Sequence, residues 1–305
     1  MGQRFLSLSD AVDCFEVEAS DGARLPVYDA GGADDAPALL AGHANGLAAG
    51  SYGPWLRDLA RHFHVFAFDA RGHGGSSWPD GPLERVFAID RIADDLAALV
   101  AALRARLGGA PLHYAGHSLA AAAAVRLAVR GIELPFERIT LFEPPIFPPK
   151  DAPNYAEAIE QQERLIRGAA RRQTRWDNPE ALRAHLGTRG VFRTFMPEML
   201  RAHCQATLRT DPAGGCVLCC PPAVESTIFA VHRDADTWQH LPRIRQRFHL
   251  VSGDASAPDR DWVSGAMSGI AAKIPGADRV ELPGAGHMMI FQQPDVCREL
   301  LLRAV

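Results

Sequence analysis

A chain of 305 residues that is 47% hydrophobic can bury one large core, or one core interrupted by an insertion. A formal charge of -4 gives no reason to expect nucleic acid or an anionic membrane surface as a partner. No apolar run is long enough to span a bilayer, and the opening MGQRFLSLSDAVDCFEVEAS lacks a signal peptide's apolar region and cleavage site, so a cytoplasmic protein is expected.

The elements begin with a predicted hairpin. CFEVEA alternates apolar and polar residues, SDGA supplies an Asp-Gly turn, and RLPVYDA resumes with Leu25 and Val27 on one face. Pro26 has no N–H to give a ladder, which favours an edge strand. After Gly31 short apolar runs alternate with longer helical segments. PALLAGH reads as a strand, Pro54 to His62 as a helix and HVFAFDA as a strand. Residues 86–107 set Ile89, Ile92, Leu96, Leu99, Leu103 and Leu107 on one helical stripe, with Asp90, Asp94 and Asp95 read as lying off it. PLHYAG is again a strand, Leu119 to Arg130 a helix, and RITLF a strand. This rhythm predicts an α/β fold with a mostly parallel central sheet and helices on both faces.

From about Pro144 to Pro242 the alternation stops. Helical segments broken by Pro153, Pro179, Pro197 and CCPP fill the span. RFHLVSG, a helix near 260–272, DRVELPG and a helix opened by Pro294 then restore the rhythm. The predicted organisation is a core of residues 1–143 and 243–305 carrying a helical cap, or lid, of residues 144–242. Arg167, Arg171, Arg172 and Arg175 stand at helical spacing and read as a solvated face. Cys14, Cys204, Cys216, Cys219, Cys220 and Cys297 include one Cys-x-x-Cys pair, with His203 upstream. A structural zinc needs four ligands and no second pair follows, so buried thiols and no metal are expected.

Gly116-His117-Ser118-Leu119-Ala120 closes a predicted strand and opens a predicted helix. A sharp strand-to-helix turn exposes the central hydroxyl only if the residues two before and two after it are nearly free of side chain, as Gly116 and Ala120 are. The helix N-terminus adds positive potential where an oxyanion would form. With this elbow, the loop FDARGHGGSS and the histidine in LPGAGHMMIFQQP, the chain resembles the α/β-hydrolase superfamily over nearly its whole length. The family pattern has glycine where this chain has Ala120.

The resemblance implies a serine hydrolase with Ser118 as nucleophile and His287, which follows the last strand, as base. Glu143, closing the strand ITLF, is taken as the acid, with Asp254 after the following strand as the alternative. The backbone N–H groups of Asn45 and Leu119 are assigned to the oxyanion hole. Asp69 and Arg71 are expected to lock their loop. His73 is read as structural, and the remaining histidines, His117 among them, have no comparable placement.

The implied reaction is cleavage of a carboxylic ester, thioester or lactone through an acyl-enzyme, with no cofactor. A carbon-carbon bond hydrolase, a cofactor-free haloperoxidase and an acyltransferase would use the same residues, and a non-catalytic ligand-binding protein would keep the fold alone. Haloalkane dehalogenation and epoxide hydrolysis need an aspartate at position 118. Phe147, Trp176, Phe192, Phe195, Met196, Phe229, Trp238, Met288 and Met289 offer an apolar wall, so the expected partner is a small molecule with an apolar acyl or aromatic group.

Overall fold

The computed structural model describes residues 13–33, 35–233, 236–256 and 260–303. Most of the opening stretch used to judge a signal peptide therefore lies outside the described residues, as do Ala257 and Pro258 of LVSGDASAP. The first six strands are β1 (Asp13–Glu18), β2 (Arg24–Gly31), β3 (Ala38–Gly42), β4 (His64–Phe68), β5 (Leu112–His117) and β6 (Ile139–Phe142). The inserted segment holds β7 (Arg175–Trp176), β8 (Leu208–Thr210) and β9 (Cys216–Leu218), and β10 (His249–Gly253) and β11 (Asp278–Leu282) follow it. Helices α1 (Gly53–Leu59), α2 (Leu83–Val86), α3 (Ile89–Leu107) and α4 (Leu119–Val129) lie between the early strands. Helices α5 (Tyr155–Ala170), α6 (Pro179–Leu186), α7 (Pro197–Ala206), α8 (Pro222–Val231) and α9 (Asp236–His240) belong to the insertion. Helices α10 (Trp262–Lys273), α11 (Met289–Gln292) and α12 (Pro294–Arg303) complete the set.

The main sheet has eight strands in the order β1-β2-β4-β3-β5-β6-β10-β11. Every pair from β4 to β11 is parallel, and β1–β2 and β2–β4 are antiparallel. β3, β5 and β6 are buried along their whole length, which is why they read as unbroken apolar runs. One face is covered by α3, α4 and α10 through Leu96, Leu99, Val125 and Ile270. The opposite face is covered by α1, α11 and α12 through Leu56, Phe291 and Leu301. Burying each such leucine contributes about 2 kcal/mol.

Several sequence expectations change. Pro26 sits on β2, which is interior to the sheet. Its carbonyl accepts from Asp69 just past the end of β4, so the missing N–H falls where that ladder stops. Asp95, read as lying off the apolar stripe, is buried. It binds Arg71 in a bidentate pair (Nε to Oδ2, 2.6 Å; Nη2 to Oδ1, 2.5 Å), and Asp21 also meets that fully buried guanidinium. Arg172 likewise leaves the solvated face to pair with buried Glu225 at 3.1 Å.

The insertion is not wholly helical, since GGCVLCC contributes β9 to a small β7-β9-β8 sheet. All six cysteines are free thiols, and among the described residues no group of three His, Cys, Asp or Glu is placed to hold a metal ion. Among the described residues no helix is long and apolar enough to cross a membrane.

Candidate active site

The turn from β5 into α4 carries Ser118 at φ 51° and ψ -107°. Ser118 and Glu143 (φ 44°) are the two non-glycine residues with left-handed φ among the described residues. Such backbone costs about 1–3 kcal/mol per residue and persists only where the surroundings over-determine it. Here those surroundings are close-packed and small. A Cβ on Gly116 would stand 2.9 Å from the Ala121 nitrogen, and one on Gly42 of β3 would stand 2.5 Å from Ala120 Cβ. The alanine at the elbow's last position is thus accommodated by a glycine on the neighbouring strand.

Three elements far apart in sequence converge on that hydroxyl. His287, in the loop after β11, places Nε2 2.9 Å from Ser118 Oγ. Its Nδ1 lies 2.7 Å from Glu143 Oε2 at the end of β6. Glu143 is fully buried, and its Oε1 accepts from Gly253 N at 2.6 Å and Ser264 Oγ at 2.7 Å. These donors compensate the desolvation of the carboxylate. Burial opposes the charged imidazole. The hydrogen bond to Glu143 and the negative charges of Asp261 and Glu143 outweigh it, holding the His287 pKa above its ordinary value.

Asp254, the alternative acid, is turned to other work. Its Oδ1 accepts from Ser256 N at 2.9 Å and its Oδ2 from Gly284 N at 3.1 Å, while Glu143 holds the imidazole. Asp261 was not singled out in the sequence, although an aspartate directly before a helix is a capping signal. It caps α10 through Val263 N at 2.9 Å, and burial pushes its carboxyl up.

Asn45 and Leu119 line the same cavity as Ser118, and among the described residues neither backbone N–H meets a protein acceptor. The Asn45 side chain is already engaged, its Nδ2 donating to the Glu225 carbonyl at 3.0 Å. His73 is fully buried, takes the Gly46 N–H on Nε2 at 2.9 Å, and has its pKa pushed down to about 3 by burial. Asp69 receives Tyr28 Oη and the N–H groups of Ala49 and Gly75, each at 2.8 Å, so the FDARGHGGSS loop is pinned on both sides.

Ser118, Leu119, Asn45 and His287 open into a cavity of about 1220 Å³, walled on the other side by the insertion. Of the residues expected to form an apolar wall, only Phe229 and Met288 line it. Phe147, Phe195, Trp238 and Met289 are buried in the packing instead. The lining is rich in polar groups, including Gln161, Gln162, Arg193, Arg260 and Asp261.

A strand-turn-helix serine, an imidazole bridging it to a buried carboxylate, and an eight-stranded sheet of this order are features shared with one large group of proteins. Residues 38–300 match the model of the alpha/beta hydrolase family, and the chain belongs to that family. N-formylmaleamate deformylase of Pseudomonas putida KT2440 is 32% identical over 133 residues, which cover 39% of this chain and 46% of that protein. The match thus spans about half the length of that relative. Among solved structures, E-2-(acetamidomethylene)succinate hydrolase superimposes with a TM-score of 0.76 at 21% identity, over 96% of this chain and 98% of the other. N-formylmaleamic acid deformylase from Pseudomonas putida S16 gives 0.67 at 21% identity, over 96% and 99%.

Proposed function

We propose that the protein is a serine hydrolase acting on a carboxylic acid derivative through an acyl-enzyme, with a core of residues 1–143 and 243–305 and a substrate-shaping cap of residues 144–242. The observation that carries this reading is the unbroken chain Ser118–His287–Glu143, with contacts of 2.9 and 2.7 Å, beside two N–H groups that open to the same cavity. Ser118 Oγ attacks the carbonyl carbon while its proton passes to His287 Nε2. Glu143 holds the tautomer that can accept that proton and stabilises the imidazolium formed. The Asn45 and Leu119 N–H groups bind the oxyanion. The intermediate collapses, His287 protonates the departing group, and water repeats the sequence on the acyl-enzyme. Apart from the substrate and that water, side chains and backbone of this chain supply the groups the cycle uses.

An ester, thioester or lactone is the substrate bond this machinery handles most readily. An amide is the second reading, favoured by the partial match to a protein named as a deformylase of N-formylmaleamate. The cation of Arg193 and the glutamines of the lining favour a substrate with polar or anionic substituents over the wholly apolar one expected from aromatic content. A carbon-carbon bond hydrolase, a haloperoxidase or an acyltransferase would share the first step.

A fluorophosphonate probe followed by peptide mapping tests the reading, together with a panel of p-nitrophenyl esters, N-formyl amides and thioesters. The expected result is stoichiometric modification of Ser118 and turnover that Ser118→Ala abolishes. Turnover that survives in Ser118→Ala would contradict it.

A further inference from the structure

His117, the residue just before the serine, enters no step of the proposed reaction, yet it is buried beneath the site. Its Nε2 lies 2.8 Å from the main-chain oxygen of His287 and its Nδ1 lies 2.6 Å from Tyr52 Oη. Tyr52 Oη in turn receives the Ala44 N–H at 3.2 Å. Burial, reinforced by the His287 charge, pushes the His117 pKa down to about 3, so the ring is neutral and carries one proton.

The proton positions follow from elementary valence. The His287 carbonyl can only accept, so the His117 proton sits on Nε2. Nδ1 is then an acceptor, so the Tyr52 hydroxyl must donate to it. That leaves the Tyr52 oxygen to accept from Ala44. One directed chain therefore runs from Ala44 N–H through Tyr52 O–H and His117 Nε2–H to the carbonyl of His287.

We infer that Tyr52 and His117 are positioning residues that hold the oxyanion loop, the nucleophile elbow and the base loop in one register. The inference rests on the serine-hydrolase reading above. Each end of the chain is one covalent step from a reacting group: Ala44 precedes Asn45, His117 precedes Ser118, and the accepting carbonyl belongs to the base itself. β3 and β5 pair directly as far as Gly42 and Gly116, and Ala120 N donates to the His43 carbonyl at 3.4 Å, but β11 pairs only with β10, so no ladder ties the base loop to the other two. The aromatic body of Tyr52 packs on Phe291, with ring centroids 4.8 Å apart, so the hydroxyl arrives on a rigid support.

Two variants cut the chain at different links. Tyr52→Phe keeps the ring against Phe291 and removes the links to both Ala44 and His117. His117→Asn keeps an acceptor near the Nδ1 position for Tyr52 and cannot reach the His287 carbonyl. Small displacements of reacting groups cost up to about 100-fold in rate, so each variant is expected to lower kcat by about ten-fold or more. KM should stay within about two-fold, since no group touching bound substrate is removed.

Because both variants break one chain, the double variant should be little worse than the poorer single one. Rates are expressed per Ser118 titratable by fluorophosphonate, which removes any loss of folded protein from the comparison. Unchanged kcat per titrated site in Tyr52→Phe overturns the inference, as does full additivity in the double variant. If His117→Asn does not fold, Tyr52→Phe decides alone. Wild-type protein that neither labels nor turns over would instead overturn the serine-hydrolase reading, and the inference with it.

Discussion

Replacing Glu143 by glutamine isolates what the carboxylate does for His287. Glu143 Oε1 already accepts two hydrogen bonds, from Gly253 N and Ser264 Oγ, so the amide oxygen of a glutamine must take that side. The NH2 group then faces His287 Nδ1, where Oε2 lay at 2.7 Å. An N–H donor there requires Nδ1 to be unprotonated, which moves the imidazole proton to Nε2. In that tautomer His287 presents a proton to Ser118 and cannot accept one. The analogous substitution in serine-protease triads lowers kcat by about 10⁴-fold with geometry intact. That factor corresponds to about 5.4 kcal/mol of transition-state stabilisation. Steady-state turnover of an activated ester, normalised to active sites titrated with a fluorophosphonate, measures it. Asp254→Asn should retain activity, because Asp254 is held by Ser256 and Gly284. A Glu143→Gln enzyme within ten-fold of wild type, beside an inactive Asp254→Asn, would refute the reasoning.

Four further outcomes follow from the same structure. The neutral imidazole is the reactive form and its pKa is raised, so the acidic limb of kcat/KM should have its midpoint above 6.5; a midpoint at or below that value contradicts the His287 environment. The same shift makes the charged His287–Glu143 pair stabilising below pH 6.5, a contribution lost as pH rises through the raised folded-state pKa, and urea titrations across that range should show the decline. Asp95→Ala removes the bidentate partner of the buried Arg71 guanidinium, leaving it Asp21 and the Val86 carbonyl, and should cost about 3 kcal/mol in urea unfolding, whereas a loss below about 1 kcal/mol would show that the pair is dispensable. Gly42→Ala should depress turnover by driving a methyl group against Ala120 and the Phe68 ring, and adding Ala120→Gly should restore part of it by removing the closer of the two contacts; absence of any rescue would break the proposed link between β3 and the elbow.

What the sequence made legible was local or periodic. Unbroken apolar runs marked β3, β5 and β6, and a strand-turn-helix with small flanks marked the elbow. What escaped it depended on partners remote in the chain. Whether β2 is an edge strand is decided by β4 pairing outside it, which the composition around Pro26 does not reveal. Asp95 lies three residues after Ile92 and four before Leu99, on the apolar stripe itself. Sorting by polarity set it aside when spacing placed it inward, toward Arg71. Strands of two or three residues, such as β7 and β9, are too short for any period to register. Aromatic content in the insertion did not say which rings face the cavity, and most pack against neighbours instead. His117 was passed over because its partners, Tyr52 and the His287 carbonyl, stand 65 and 170 positions away.

The most direct measurement is a crystal structure of the protein after reaction with an alkyl fluorophosphonate. Phosphorus should be bonded to Ser118 Oγ, with one phosphonyl oxygen within about 3 Å of the Asn45 and Leu119 nitrogens and His287 Nε2 beside the oxygen in the leaving position. An adduct on another side chain, or a phosphonyl oxygen turned away from both nitrogens, would contradict the site described here.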